Sequence, residues 1–99
     1  MRLYKDPDFK HEITELDLGI LQAGESRQYT FYLLNDTKAE VKNLNITINH
    51  NEIEILKSPN EISAGKMEEL IIAWKPSVSL KQGIKNLPVH ITGNELWSE

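Results

Sequence analysis

Hydrophobic residues recur at every second position in several short runs of this chain. Over residues 27–34, Tyr29, Phe31 and Leu33 alternate with Gln28, Thr30, Tyr32 and Leu34. That two-residue period predicts a β-strand, and its β-branched and aromatic side chains suit a pleated sheet. Leu44, Ile46 and Ile48 alternate with Asn45, Thr47 and Asn49 over 41–49, the pattern of a half-buried strand. In 67–75, Leu70, Ile72 and Trp74 share one face while Ile71 and Ala73 lie on the other. A strand apolar on both faces is either central or covered. Met67, Leu70, Ile71 and Trp74 also have helical spacing, but the turn at Ala64-Gly65 and Pro76 bracket a stretch too short for a typical helix. A final strong strand is predicted at 87–92, with Leu87, Val89 and Ile91 inward and His90 and Thr92 outward.

Weaker alternation marks 11–18, through Ile13, Leu16 and Leu18, and 52–56, where Glu52 and Glu54 form the wet face of an edge strand. Residues 78–83 are loop or a poor strand. Turns are expected at 23–26, 35–38, 49–51 and 58–60, and Gly19 is expected to end the run before it. At 35–38 the Asn and Asp side chains can bond their own backbone. Six or seven strands at short, regular spacing predict an all-β fold, a single immunoglobulin-like β-sandwich of about seven antiparallel strands. The expected division is an N-terminal arm at 1–10, with Pro7 between two aspartates, the sandwich at 11–93, and a C-terminal tail at 94–99.

Composition narrows the function classes. The 99 residues suit one domain, and 15 acidic against 11 basic residues leave a net charge of -4 with the lysines scattered, so no basic face for nucleic acid is expected. The chain has no cysteine, which removes disulfides and thiolate chemistry and fits a reducing compartment. The opening residues lack the apolar core of a signal peptide, and the longest apolar run, 70–74, is too short to cross a bilayer. A soluble protein made in the cytoplasm is expected. Asn35-Asp36-Thr37 and Asn45-Ile46-Thr47 match the glycosylation triplet, here taken as coincidence.

No constellation of catalytic residues stands out. His11, His50 and His90 have no ligand spacing, and the carboxylates at Asp6/Asp8, Glu52/Glu54 and Glu68/Glu69 are simpler as solvated turns and strand faces than as acid–base pairs or a calcium loop. The five glycines are solitary and build neither a phosphate loop nor a nucleophile elbow. Neither enzyme activity, metal nor cofactor is expected.

More informative is a surplus of apolar groups. Tyr32 and Leu34 fall opposite the face expected to be core, as do Ile71 and Ala73; Leu96 and Trp97 follow the last strand, and Leu3, Tyr4 and Phe9 punctuate the arm. Either edges and tail fold back over these groups, or an outer sheet face or tail docks on a partner. On the second reading Trp97, Leu96, Tyr32, Leu34, Tyr4 and Phe9 are the candidate partner-binding residues, with Trp97 the natural anchor and the arm ordering on contact.

Several segments together carry a resemblance. Asp17-Leu18-Gly19, Ala23-Gly24-Glu25-Ser26 and Phe31-Tyr32-Leu33-Leu34-Asn35 open the chain. Ile62-Ser63-Ala64-Gly65-Lys66, 70–76 and Val89-His90-Ile91-Thr92-Gly93 follow. Over 17–93 this resembles immunoglobulin-like domains of the ASH and major-sperm-protein type, a shape shared by bacterial and phage surface modules. The resemblance implies a sandwich and an adhesive or assembling role, and it carries over no binding motif. The expectation is a non-enzymatic protein that binds another protein: a small phage virion accessory protein on a capsid or tail, located in the virion, or else an intracellular module on a cellular scaffold that binds a peptide or another sandwich, for instance by strand addition at an exposed edge. A carbohydrate-binding sandwich is the third class. Self-association is left open.

Overall fold

The computed structural model describes residues 1–21, 24–76 and 82–96. Among them are ten strands: β1 (Arg2–Tyr4), β2 (Glu12–Ile13), β3 (Glu15–Leu16), β4 (Gly19–Leu21), β5 (Arg27–Leu34), β6 (Glu40–Ile48), β7 (Ile53–Lys57), β8 (Met67–Trp74), β9 (Gln82–Ile84) and β10 (Leu87–Leu96). No helix occurs among the described residues, and each strand pairing is antiparallel. One sheet has the order β2-β1-β5-β8-β7, a second β3-β10-β6, and β4 and β9 form a two-stranded third. The chain is an all-β sandwich. Its described residues form ten strands rather than about seven because five of them are only two or three residues long, too short to show a period in the sequence.

The strongest pattern signals become the longest strands. β5 and β8 pair in register from Arg27↔Trp74 to Leu34↔Met67, which sets Phe31 beside Leu70 and Tyr29 beside Ile72. β8 is central, flanked by β5 and β7, as its two apolar faces require. Leu70, Ile72 and Trp74 are sealed on its inner face, and they meet Leu3, Leu16, Leu18, Leu21, Phe31, Leu33, Ile46, Ile62 and Ile84 in one core drawn from all three sheets. Each such side chain contributes about 1.5–3 kcal/mol on burial. Helical spacing at 67–74 loses to these cross-strand partners, because only the strand sends Leu70, Ile72 and Trp74 to the same side.

The first ten residues are not an irregular arm. Arg2–Tyr4 is a strand between β2 and β5 with Leu3 opposite Leu33, so Leu3 enters the core. The weak strand expected at 11–18 is broken at Thr14. Ile13 pairs with Leu3 in the large sheet, whereas Glu15 and Leu16 pair with Pro88 and Leu87 in the small one. One segment thus switches sheets, as strands at the corner of a sandwich do. Gly19, expected to end a strand, instead opens β4, and residues 94–96, expected as tail, extend β10.

Two local features fix the joints. The turn after β5 closes on Asn35, wholly buried. Its Nδ2 donates to the carbonyls of Ala39 (2.8 Å) and Ile62 (3.0 Å), and its Oδ1 accepts from the N–H (3.1 Å) and hydroxyl (2.7 Å) of Thr37. Its backbone bonds to Gly65 and Lys66, with Gly65 at φ +71°. The residue expected to make a turn therefore also ties that turn to the 60–66 segment. At the other joint, the β6–β10 ladder skips Gly93, leaving Asn43 and Leu44 opposite one residue in a β-bulge. A Cβ on Gly93 would lie 2.7 Å from Val41 Cγ1, which only glycine avoids.

Candidate outer-face interface

β5 turns Gln28, Thr30, Tyr32 and Leu34 away from the core, and their neighbours on the same face follow from the register. Tyr32 lies between Tyr4 of β1 and Glu69 of β8, Leu34 between Arg2 and Met67, Thr30 beside Ile71, and Gln28 beside Ala73. The result is an outer face with an apolar and aromatic centre of Tyr4, Tyr32, Leu34, Met67, Ile71 and Ala73. Tyr32, Leu34, Met67 and Ile71 are half-buried, while Tyr4 and Ala73 are nearly covered.

Phe9 joins this face through a tight loop. Asp6 Oδ2 accepts the Lys10 N–H at 3.1 Å and Oδ1 the His11 N–H at 2.9 Å, while His11 Nδ1 stands 3.3 Å from Oδ1. Lys5 N–H donates to the His11 carbonyl at 3.0 Å. The loop turns on Phe9 at φ +58° and sets its ring edge-on to Tyr4, with centroids 5.1 Å apart. Such a pair adds about 0.5–1.5 kcal/mol beyond its buried area. Partial desolvation raises the Asp6 carboxyl, but the two backbone N–H groups and the His11 ring outweigh it and hold it below its ordinary value. Asp6, read from sequence as a solvated turn residue, is the group that closes this loop. The segment meant to order on contact is already folded back.

Charged side chains flank this centre and interrupt it at Glu69, which stands on β8 between Met67 and Ile71 and beside Tyr32. At one end the Arg2 guanidinium donates to Asp36 at 2.8 Å and to Glu12 at 2.9 Å, and the amino group of Met1 reaches Asp36 at 3.0 Å. These bonds hold the Asp36 carboxyl below its usual range and raise the Arg2 guanidinium. At the far side Lys57 pairs with Glu69 at 3.3 Å. Exposed pairs of this kind contribute little stability; those of Arg2 form a polar rim, whereas Lys57 reaches in from β7 to Glu69 on the central strand. Leu56, at the bulge of β7 and 45 % exposed, lines a groove of about 360 Å³ with Ser26, Arg27, Gln28, Ala73 and Lys75.

Of the sequence candidates, Tyr4, Phe9, Tyr32 and Leu34 come together on this face. Leu96 closes β10, and Trp97 lies outside the described residues. Sequence reasoning missed Met67 and Leu56. Met67 stands out in the sequence only through its helical spacing to Leu70, Ile71 and Trp74, and Leu56 reaches the surface through a bulge that no pattern announces. Glu54 lies on the edge strand β7, and Glu52 accepts the Trp74 indole N–H at 3.3 Å. His50 Nδ1 accepts the Glu52 N–H at 3.2 Å. Among the described residues no three His, Asp or Glu side chains converge as metal ligands, and no helix is long and apolar enough to cross a membrane.

Comparison of the chain with family models, curated proteins and solved structures finds no match.

Proposed function

We propose that this chain is a non-enzymatic interaction protein that docks on another protein through the outer face of its five-stranded sheet. The observation that carries the proposal is the arrangement of that face: Tyr4, Phe9, Tyr32, Leu34, Met67 and Ile71 gathered around Glu69, with the Arg2 ion pairs at the rim. Aromatic and methionine side chains inside a polar rim are the composition of protein interfaces. The reading fits the immunoglobulin-like adhesive modules that the sequence resembles. Stacking on a sugar is less favoured, because Phe9 covers Tyr4 and leaves Tyr32 without a flat aromatic neighbour.

The assembly in which we place the protein is a bacteriophage virion, as an accessory protein of capsid or tail. Support comes from composition: an ordinary acidic sandwich with neither cysteine nor catalytic motif. Density-gradient fractionation of source lysate tests both parts. Wild-type protein is expected to travel with phage-sized particles through a salt wash, and Tyr32→Ser, folded but weakened in docking by about 2 kcal/mol or more, is expected to fall into the light fractions. Wild-type protein found only in light fractions removes the virion placement and favours an intracellular interaction module. Tyr32→Ser particles indistinguishable from wild type remove the outer face as the contact.

A further inference from the structure

The small sheet is unevenly filled. β6 pairs with β10 along residues 89–96, but on the opposite side β3 covers only Leu87 and Pro88. The chain before β3 has left for the other sheet at Thr14, so the place beside β10 from His90 onward is vacant among the described residues.

The backbone groups at this vacancy can be assigned from the ladder. Val41 exchanges both hydrogen bonds with Ile62, and Leu44 N–H donates to Asn60 O, so both turn their peptide groups away from β10. Peptide direction alternates along an antiparallel strand. Thr47 and Asn45 therefore bond His90 and Thr92, while Ile91 and Glu95 point their N–H and C=O outward, away from β6.

Beside that edge the gap between the sheets is open in two clefts of about 180 and 190 Å³. Val89 and Ile91 line the first with Leu3 and Ile13; Ile91 lines the second with Val41, Leu44 and Gly93. Met1 stands between them and borders both. Val89, Ile91, Ile13 and Leu44 all belong to the inner faces yet remain half-buried, unlike Leu70 and Ile72. Glu95 stands at the end of the second cleft, exposed and in no ion pair among the described residues, whereas Glu12 at the first is neutralised by Arg2.

We infer that the open edge of β10 takes an extended peptide segment of a partner protein, added as a strand in the vacancy left by the short β3. Backbone donors and acceptors at alternate positions demand an extended main chain. The two clefts demand apolar side chains on its inward face, and the uncompensated Glu95 demands a basic residue at one end. Other edges suit this less. β7 is five residues long and bulged at Leu56, which discourages pairing, and the near half of β6 is occupied by residues 60–62. This site lies apart from the outer face and does not depend on it.

A phage-displayed random decapeptide library panned against the full chain tests the inference. Enriched peptides are expected to alternate apolar residues and to carry Lys or Arg at one end. A synthetic copy is expected to slow deuterium exchange at the Ile91 and Glu95 amides. Its N-methylation at alternate positions should weaken binding at least about tenfold for each hydrogen bond lost, at one parity only. Glu95→Lys, at an exposed position, should weaken the same peptide by a similar factor. Three results would overturn the inference: no enrichment, enriched peptides without alternation, or protection at β7 or around Tyr32 in place of Ile91 and Glu95.

Discussion

Replacing Asn35 by alanine tests how the turn after β5 holds the sandwich together. The substitution removes four side-chain hydrogen bonds at a fully buried position, each with a net worth of about 0.5–1.5 kcal/mol. The two carbonyls left behind are not orphaned. Ile62 O keeps the Val41 N–H at 3.0 Å, and the Thr37 hydroxyl, released by the lost Asn35 Oδ1, can turn its one proton to Ala39 O at 3.0 Å. The cost therefore falls in the lower part of the summed range, about 2–4 kcal/mol. A domain of this size has about 5–15 kcal/mol in all. Urea denaturation followed by circular dichroism should show that loss, with the melting temperature lowered by about 8–30 °C. Asn35→Asp sharpens the test. It keeps the acceptor for Thr37 but turns a carboxylate toward two carbonyl oxygens, so the folded chain holds that proton more tightly than the unfolded one. Stability should then fall as pH rises above the ordinary carboxylate value, and the Asp variant should be weaker at pH 7 than at pH 4 relative to wild type. An Asn35→Ala loss below about 1 kcal/mol, or an Asp variant indifferent to pH, would refute the reasoning.

Other outcomes follow from single contacts. Gly93→Ala should cost about 1–2 kcal/mol, the overpacking against Val41 and Leu44 outweighing the entropy gained by losing glycine; an unchanged denaturation midpoint would contradict the close approach. The Asp6 carboxyl is held below its ordinary 3.8, so its loop closure is intact above that value and lost as pH falls through the folded one. The Lys10 and His11 amide shifts should titrate with a midpoint below 3.8, and a midpoint at or above it would mean the carboxylate is not their partner. Phe9→Ala should lower stability by about 0.5–1.5 kcal/mol through loss of the edge-on pair, while Tyr4 gains exposure to chemical iodination; equal labelling of the two proteins would contradict the edge-on contact.

How much of this was legible in the sequence depended on strand length. β5 and β8 span eight residues each and displayed their two faces openly, which also disclosed Tyr32 and Leu34 as outward. β1 pairs over three residues, too few for a period, so Leu3 and Tyr4 looked like parts of a loose arm until Leu33 and Tyr32 supplied their partners. The sheet switch at Thr14 left no mark, because Ile13 and Leu16 face the same core from different sheets. Asn35 showed its turn-forming chemistry but not its bonds to Ala39 and Ile62, since Ile62 lies 27 residues away. Phe9 reaches Tyr4 through a left-handed backbone that only the Asp6 bonds make intelligible.

The claim at the centre of this account is that the outer face of the five-stranded sheet contacts a protein partner. Site-specific photocrosslinking in the source cells tests it most directly, with the photoreactive residue placed at Tyr32 or, as a control, at exposed Thr47 on the opposite sheet. The account predicts one defined adduct from position 32, mapped to a single partner surface and abolished by Leu34→Arg, with none from position 47. Equal adducts from both positions, or none from position 32 while the protein remains assembled, would contradict it.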